Sequence, residues 1–374
     1  MRFLLAPDKF KGCLNALQVA EQIALGIRKA LPDAEIELAP VADGGEGTAG
    51  IILRARDGEW VTSGAHDPLG REISARYAWL PDDRTAVMEM SETAGMALVQ
   101  SSERDLLRAN TFGVGEMLLD AAARGAREVI VGLGGSATND GGFGFARALG
   151  FRFFGDESGH AREFRGGVDE LIHLQRIDRP ELHSLPSITA AADVRNPLLG
   201  RNGATAIFGP QKGASADEIE LMERLLTRLA DVSASDLGCD FRDHPGAGAA
   251  GGLGFGLMTF GGATVRAGFE IVAETIQLQR KISWADIVIT GEGRLDQQTL
   301  AGKAPAGVAR LARAAGKKIF AIVGQASDEV EQGALFDGII PLTRSAIRAI
   351  PPSELTARML REGAEKLALS LRGR

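Results

Sequence analysis

The two ends of the chain carry short apolar runs that alternate with helical spacing. "FLLAPD" predicts a buried strand, Ala16 to Leu31 predicts a helix with Asn15 as its N-cap, and "IELAPVAD" predicts a second strand. From Asp286 onward the pattern predicts the strand "DIVITGEG", the helix "GVARLARAAG" with a Gly C-cap, and the strands "KIFAIVG" and "GIIPL". Joined, these segments give about five short parallel strands, the size of a flavodoxin-like doubly wound sheet.

The residues between the two ends predict a second, mixed α/β domain. "REISARYAWL" and "TAVMEM" favour paired strands, while Thr111 to Arg124, Asp217 to Leu229 and Ile271 to Ile282 have helical spacing. We therefore expect an α/β protein with a flavodoxin-like (Rossmann-like) parallel-sheet domain at residues 1–63 and 281–374. The mixed domain at residues 64–280 interrupts it and carries a Gly-rich loop.

Composition narrows the possible partners and the location. The chain has 374 residues, 45% of them hydrophobic, and a formal net charge of -7 without any Lys/Arg run, which argues against nucleic acid or an anionic membrane as a partner. Cys13 and Cys239 lie far apart, so no disulfide framework or CxxC metal site is predicted. The apolar pattern predicts neither a signal peptide nor a membrane-spanning stretch of about 18 apolar residues. We expect a cytoplasmic protein, monomeric or homodimeric.

The most distinctive stretch is "IVGLGGSATNDGG", from Ile130 to Gly142. A strand, a glycine turn and a helix would place N–H groups at the positive end of a helix dipole, where phosphate can approach. The candidate phosphate ligands are Gly134, Gly135, Ser136 and Asn139. The run matches neither GxxxxGK[ST] nor GxGxxG, and a tight structural turn remains the alternative.

Four further motifs place carboxylates beside Gly or Asn where apolar runs end: "VADGGEG", "TNDGG", "AADVRNP" and "TGEGRLD". In open α/β sheets the carboxyl ends of the strands face the ligand crevice, so these carboxylates are expected to converge. Each motif alone is equally typical of a turn after a strand. The candidate metal ligands are Asp43, Glu46, Asp140, Glu292 and Asp296.

Cations accompany these carboxylates, and the candidates are Lys9, Lys11, Lys212, Arg294 and Lys303. A loop lysine is usually a solvated charge, which is the alternative for each of them alone. Phosphoryl transfer needs this mixture, because N–H groups and cations hold phosphates while carboxylates hold Mg²⁺ and orient the attacking hydroxyl. The residues alone therefore indicate a phosphate-binding α/β enzyme.

Seven motifs in one order carry a family resemblance: "APDKFKG", "PVADGGEGT", "GLGGSATNDGG", "DVRNPL", "FGPQKGA", "GAGAAGGLG" and "TGEGRLDQQTLAGKAP". From the first strand to about Gly307 the chain resembles the bacterial two-domain glycerate kinase family. The resemblance implies ATP-dependent phosphorylation of D-glycerate, usually on the 2-hydroxyl to give 2-phosphoglycerate and ADP, with Mg²⁺ as the metal. It also implies a flavodoxin-like domain interrupted by a second α/β domain. Cys13 and Asn15 stand where small residues, often serine, are usual in this family.

Roles can be assigned to the candidates as hypotheses. Lys9 and Lys11, with Arg294, are expected to bind the carboxylate of the substrate. Among the metal candidates, Asp43 and Glu292 are favoured, since Mg²⁺ prefers oxygen ligands and keeps several waters.

The catalytic hypothesis centres on Asp193, which would orient or deprotonate the attacking hydroxyl. Asn196 would fix the substrate, and Lys212 or Lys303 would compensate charge on the transferring phosphoryl group. An Asx-type turn before Pro197 is the alternative role for Asp193.

Two other functions stay open. A kinase for another small hydroxy acid would differ only in its acceptor pocket. A non-catalytic nucleotide-binding sensor would need fewer charges, and the desolvation cost of so many carboxylates argues against it.

Overall fold

The computed structural model describes residues 1–157, 160–181, 185–295, 303–327, 335–343 and 353–372. The chain forms two compact units: unit 1 is Met1–Asp43 with Phe269–Arg374, and unit 2 is Gly44–Gly268. The sequence placed the junctions at 63/64 and 280/281 instead. The first difference arises because strand β3 (Glu59–His66) pairs along its whole length with a strand of unit 2.

Unit 1 is built on a sheet of five parallel strands. With labels running along the chain, its strands are β1 (Arg2–Leu5), β2 (Glu35–Leu38), β12 (Ile287–Thr290), β14 (Lys318–Val323) and β16 (Gly338–Pro341). Their order across the sheet is β2-β1-β12-β14-β16. This is the 2-1-3-4-5 order of flavodoxin-like folds, so the predicted fold class is confirmed.

The described part of unit 1 has five helices, and the last of them was not predicted from the sequence. They are α1 (Ala16–Ala30), α9 (Gly268–Thr275), α10 (Leu278–Trp284), α11 (Ala304–Ala314) and α12 (Ser353–Leu371). Asn15 caps α1 through a capping box, as predicted. The single helix expected from Ile271 to Ile282 is wrong, because Gln277 adopts a left-handed φ of 53° and separates α9 from α10. A two-stranded parallel pair, β13 (Arg294–Leu295) and β15 (Gln325–Ala326), completes the unit.

Unit 2 contains a six-stranded mixed sheet in the order β11-β10-β6-β5-β4-β3. The strands that follow β3 are β4 (Glu72–Leu80), β5 (Thr85–Glu89), β6 (Glu128–Gly132), β10 (Ser187–Ala191) and β11 (Thr264–Arg266). The last four are mutually parallel, and β4 runs antiparallel to both of its neighbours. A small antiparallel sheet holds β7 (Arg152–Glu157), β8 (His160–Glu163) and β9 (Leu174–Asp178).

The helices of unit 2 bury an aromatic core. They are α2 (Thr48–Ala55), α3 (Ser91–Ala94), α4 (Phe112–Ala123), α5 (Phe143–Ala148), α6 (Ala204–Phe208), α7 (Ala216–Leu237) and α8 (Ala249–Gly261). Helix α7 runs beyond the predicted end at Leu229 until Gly238 ends it in a left-handed conformation. Edge-to-face contacts join Phe153 to Phe143 and to Phe260 in the core.

Candidate functional site

The glycine loop of unit 2 runs from residue 133 to residue 142, between β6 and α5. Gly134, Gly135 and Ser136 lie in the first part of this loop, and α5 begins only at Phe143. The predicted order of strand, glycine turn and helix is present, but these three residues do not lie at the N-terminus of the helix. The loop itself must supply any anion contact.

The glycines of this loop allow its backbone to pack directly on other backbone. A Cβ on Gly132 would lie 2.4 Å from the carbonyl oxygen of Gly44, and one on Gly134 would lie 2.4 Å from Cα of Gly45. In the second half of the loop, a Cβ on Gly142 would lie 2.6 Å from Cα of Gly256 in α8. The missing side chains thus admit two other glycine-rich segments, "DGGEG" and "AAGGLGFG".

Three consecutive N–H groups in the loop remain available. Among the described residues, the backbone N–H groups of Gly134, Gly135 and Ser136 donate to no acceptor. Gly135 has a left-handed φ of 74°, and a left-handed residue in a turn is one component of the concave anion sites called nests; we call these three N–H groups the nest. The Oε1 atom of Glu46 lies 2.8 Å from the position of a Cβ on Gly135, so a carboxylate stands beside this nest.

Glu89, which the sequence analysis missed, anchors the segment that carries Glu46. Its carboxylate accepts hydrogen bonds from the N–H groups of Gly47 (3.0 Å) and Ala49 (2.8 Å). These donors belong to the N-terminus of α2, where a carboxylate is favoured by the helix dipole. The signal was the position of Glu89 as a carboxylate at the carboxyl end of the buried strand β5, within "TAVMEM".

Lys212 reaches the same loop from the segment after α6. Its side chain is buried, and its Nζ lies 2.5 Å from the carbonyl oxygen of Thr138 and 3.3 Å from Oγ of Ser136. Burial lowers the pKa of Lys212 to about 7, and the charge of Asp140 opposes this shift. Lys212 therefore acts on the glycine loop through Thr138 and Ser136.

Asp140, a predicted metal ligand, has a structural position. It is fully buried, and its Oδ2 accepts from the N–H (2.9 Å) and the hydroxyl (2.8 Å) of Thr111 and from the N–H of Gly144 (2.9 Å). Its Oδ1 accepts from the N–H of Gly142 at 3.1 Å. Burial raises the pKa of the Asp140 carboxyl, while these hydrogen bonds lower it. Both oxygens serve to join the loop to α4 and α5, which corrects the expectation that Asp140 faces a metal.

Asn139 and Asn196 also hold backbone or side chains in place. Asn139 is fully buried, and its Nδ2 donates to Oγ1 of Thr205 at 2.9 Å. This burial corrects the expectation that Asn139 contacts phosphate directly. Asn196 donates from Nδ2 to the carbonyl oxygen of Asn202 at 2.8 Å, which closes its loop.

Asp193 lies at the end of the strand next to β6. Ala191 in β10 pairs in parallel register with Gly132 in β6, so Asp193 and Gly134 each stand two positions beyond a matched pair. Asp193 is half-buried. The sheet therefore brings the candidate base and the start of the nest to the same edge of unit 2.

In unit 1, the strand order reverses between β1 and β12. Flavodoxin-like folds bind their ligands at this topological switch point. Asp8 follows β1, and Glu292 follows β12; both are buried. The N–H of Asp8 donates to the carbonyl oxygen of Gly291 at 2.8 Å, which ties the two strand ends together. Its Oδ1 accepts from the N–H of Lys9 at 2.6 Å.

Asp8 was not among the sequence candidates, although it stands in "APDKFKG" at the end of the first strand. Burial raises the pKa of Asp8 to about 7, the charge of Asp43 adds to this shift, and Lys9 and Lys303 oppose it. Asp8 and three predicted site residues thus interact within unit 1.

The other unit 1 candidates differ in exposure. Lys9 is half-buried, whereas Lys11 and Arg294 are exposed. Lys303 is the N-cap residue of α11. Asp296 lies outside the described residues.

The carboxylates can be compared with the needs of a metal ion. Within the described ranges, no group of three or more His, Cys, Asp or Glu side chains could hold a metal. Mg²⁺ is usually bound through one or two carboxylates together with substrate phosphates and water. A single carboxylate beside the nest, such as Glu46, fits that demand.

None of the helices in the described part of the chain is long and apolar enough to cross a bilayer.

A chain with a flavodoxin-like sheet and an anion nest in its inserted unit has the features of a phosphate-handling α/β enzyme. Residues 3–372 match the model of the glycerate kinase family. The chain is 41% identical to the glycerate kinase of Bacillus subtilis (strain 168), with 96% of each chain covered. It is 43% identical to the glycerate 2-kinase of Escherichia coli (strain K12), covering 88% of this chain and 87% of that protein.

A solved structure agrees. A crystal structure from Salmonella typhimurium LT2 that carries the name glycerate kinase 2 superposes with a TM-score of 0.83 at 38% identity, covering 100% of this chain and 98% of that one. The chain belongs to the glycerate kinase family, and it is an enzyme.

Proposed function

We propose that this enzyme transfers the γ-phosphoryl group of ATP to the 2-hydroxyl of D-glycerate, giving 2-phosphoglycerate and ADP. The observation that carries the proposal is the nest of three available N–H groups at Gly134, Gly135 and Ser136 in a chain of the glycerate kinase family. The names of the Bacillus subtilis and Escherichia coli relatives support the substrate and the position of transfer.

The nest is suited to the phosphates of ATP. Its N–H groups point positive charge at an anion, and Lys212 holds the loop through Thr138 and Ser136. Bound Mg²⁺ would neutralise charge on the phosphate oxygens, and Glu46 is the described carboxylate nearest the nest. In unit 1, Asp43 and Glu292 remain proposed metal ligands.

The acceptor needs a partner for its carboxylate and one for its hydroxyl. We assign the carboxylate of D-glycerate to Lys9, Lys11 and Arg294, because an anion needs charge-assisted donors. Asp193 would accept the proton of the attacking hydroxyl, and Lys303 would compensate charge on the phosphoryl group. Such a reaction, which consumes ATP, suits the cytoplasm, where we expect the enzyme to work as a monomer or homodimer.

A product assay tests this function. Purified protein is incubated with ATP, Mg²⁺ and a panel of small hydroxy acids, and the products are examined by phosphorus-31 NMR. A phosphate on the 2-hydroxyl couples to one proton and gives a doublet, whereas one on the 3-hydroxyl couples to two protons and gives a triplet. The proposal predicts the doublet with D-glycerate and none with metal chelated. Turnover of another hydroxy acid in preference to D-glycerate, or a triplet, would overturn it.

A further inference from the structure

Unit 2 has a small surface pocket of about 300 Å³ whose lining is rich in arginine. His66 at the end of β3, Arg108 before α4, Arg147 on α5 and Arg165 after β8 all line it. The volume is at the lower end of the range for small-molecule sites. None of the lining residues belongs to the candidate site described above.

Arg147 is a preorganised cation at the base of this pocket. Its guanidinium carbon lies 5.3 Å from the ring centre of Phe143 and 5.9 Å from that of Phe112. Its NH1 and NH2 donate to the carbonyl oxygens of Gly166 (3.3 Å) and Arg165 (3.1 Å). Burial lowers the pKa of Arg147, although a guanidinium stays charged at neutral pH. An anion placed here would meet a charge that needs no reordering.

Arg108 and Arg165 supply two further charges. Both are exposed, and neither guanidinium has a hydrogen bond or ion pair with any side chain in the described ranges. Asn110, which lies just before α4, lines the same pocket, and its Oδ1 accepts from the N–H of Phe112 at 3.0 Å.

The neighbouring carboxylates offset part of this positive charge, since Glu170, Asp140 and Glu163 all raise the pKa of Arg147. Glu116 is paired with Nδ1 of His66 at 2.9 Å. Glu163 is paired with Arg152 at 2.7 Å, and Glu170 is paired with Arg162. Two carboxylates stand at the rim: Oδ1 of Asp169 lies 2.6 Å from the position of a Cβ on Gly167, and Oε2 of Glu170 accepts from the N–H of Gly166 at 2.6 Å.

We propose that this pocket is a second anion site, which binds a small phosphate-bearing anion through Arg108, Arg147 and Arg165. Guanidinium forks match phosphate oxygens geometrically, and three arginines line a cavity of about 300 Å³, which suits a small polyanion. The site is distinct from the proposed ATP site on the glycine loop, and it does not rest on the proposed function.

Binding is tested by isothermal titration calorimetry on the full chain, with pyrophosphate as the probe and glycerol as an uncharged control. A nonhydrolysable ATP analogue and D-glycerate are present throughout to saturate the active site. The wild-type protein is expected to bind one pyrophosphate, and affinity should fall as salt is raised. The double variant Arg108→Gln/Arg165→Gln should bind at least ~10-fold more weakly, since each lost charge-assisted contact removes on the order of 1 kcal/mol or more.

Two matched variants sharpen the test. Arg127→Gln removes an exposed arginine from the amino end of β6 and should leave affinity unchanged. Asp169→Asn removes the rim carboxylate and should tighten binding. The proposal fails if no pyrophosphate binds while the active site is saturated, or if the double variant binds as tightly as the wild type. Binding that weakens equally in Arg127→Gln would also overturn it, because the effect would then be one of net charge.

Discussion

The ammonium of Lys212 lies 2.5 Å from the carbonyl oxygen of Thr138, inside the glycine loop of unit 2. A buried lysine is costly unless its charge is used or neutralised, and here Ser136 and Thr138 are the groups it contacts. The three available N–H groups belong to the segment that Lys212 holds. Lys212 is therefore expected to support phosphate binding indirectly, by holding the loop whose N–H groups contact the phosphate.

Replacement of Lys212 separates this effect from folding. Lys212→Met keeps the length and burial of the side chain but removes both loop contacts, so the KM for ATP should rise at least ~10-fold while the KM for D-glycerate changes little. Stability at neutral pH should change little, because Oγ of Ser136 still donates to Thr138. Lys366→Met, an exposed lysine on α12, is the control in steady-state assays. An unchanged KM for ATP would remove Lys212 from the site.

The lowered pKa of Lys212 predicts a pH dependence with a definite sign. Its pKa is about 7 in the folded chain, against about 10.4 when unfolded, so between these values the unfolded chain binds the extra proton. Stability therefore rises with pH in this window, by up to about 1.4 kcal/mol per pH unit. Urea denaturation of wild type and Lys212→Met at several pH values measures it. The free energy of unfolding of the wild type minus that of Lys212→Met should rise from pH 7 to 10 and stay constant below pH 7.

Much of the fold could be predicted because the strands of unit 1 are continuous apolar runs with helical segments between them. The unit boundaries could not, since pairing of β3 with β4 is a contact that no local pattern reveals. In the site, strand ends located the Gly134–Ser136 loop and Asp193. The sequence could not show that both carboxylate oxygens of Asp140 accept hydrogen bonds from Thr111 and two glycine N–H groups. An Asp in a glycine run has the same sequence pattern whether it binds a metal or holds the backbone.

Gly134 tests the backbone packing that shapes the nest. Gly134→Ala brings Cβ to 2.4 Å from Cα of Gly45, so the two glycine segments must separate, and ATP affinity should fall at least ~10-fold. Gly64→Ala in β3 is matched, since neither glycine has a positive φ and a Cβ on Gly64 meets no atom within 4 Å among the described residues. Calorimetric titration with ATP compares them. Equal ATP affinity in both variants would show that the packing does not shape the phosphate site.

Asp8 tests the unit 1 strand ends. Its pKa of about 7 exceeds the ordinary value of about 3.9, so the folded chain retains a proton that the unfolded chain loses between these pH values. Stability from this group is therefore lost as pH rises from 4 to 7. Asp8→Asn, which still accepts from the N–H of Lys9, should gain stability relative to wild type at pH 8 but not at pH 4, and its kcat should fall. Asp33→Asn replaces an exposed carboxylate in the same unit and should change neither the pH dependence of stability nor kcat. A stability difference between Asp8→Asn and wild type that does not vary with pH would contradict the raised pKa.

Asp193 is the proposed general base, and its replacement by Asn distinguishes a catalytic role from a structural role in a turn. Asp193 and Gly134 each follow the last matched pair of β10 and β6 by two positions, at the same edge of the sheet, and Asn196 closes the following loop through Asn202. Asp193→Asn keeps the shape and most of the capacity of an Asx turn but removes the charge that would accept a proton. A base predicts a loss in kcat of at least ~10²-fold with an unchanged KM for ATP and an unchanged unfolding midpoint. Asp217→Asn, an exposed carboxylate in the first turn of α7, is the control for general loss of charge. If Asp193→Asn keeps near-normal kcat, Asp193 is a turn residue, and the next candidates for the proton acceptor are Asp43 and its neighbour Asp8 in unit 1.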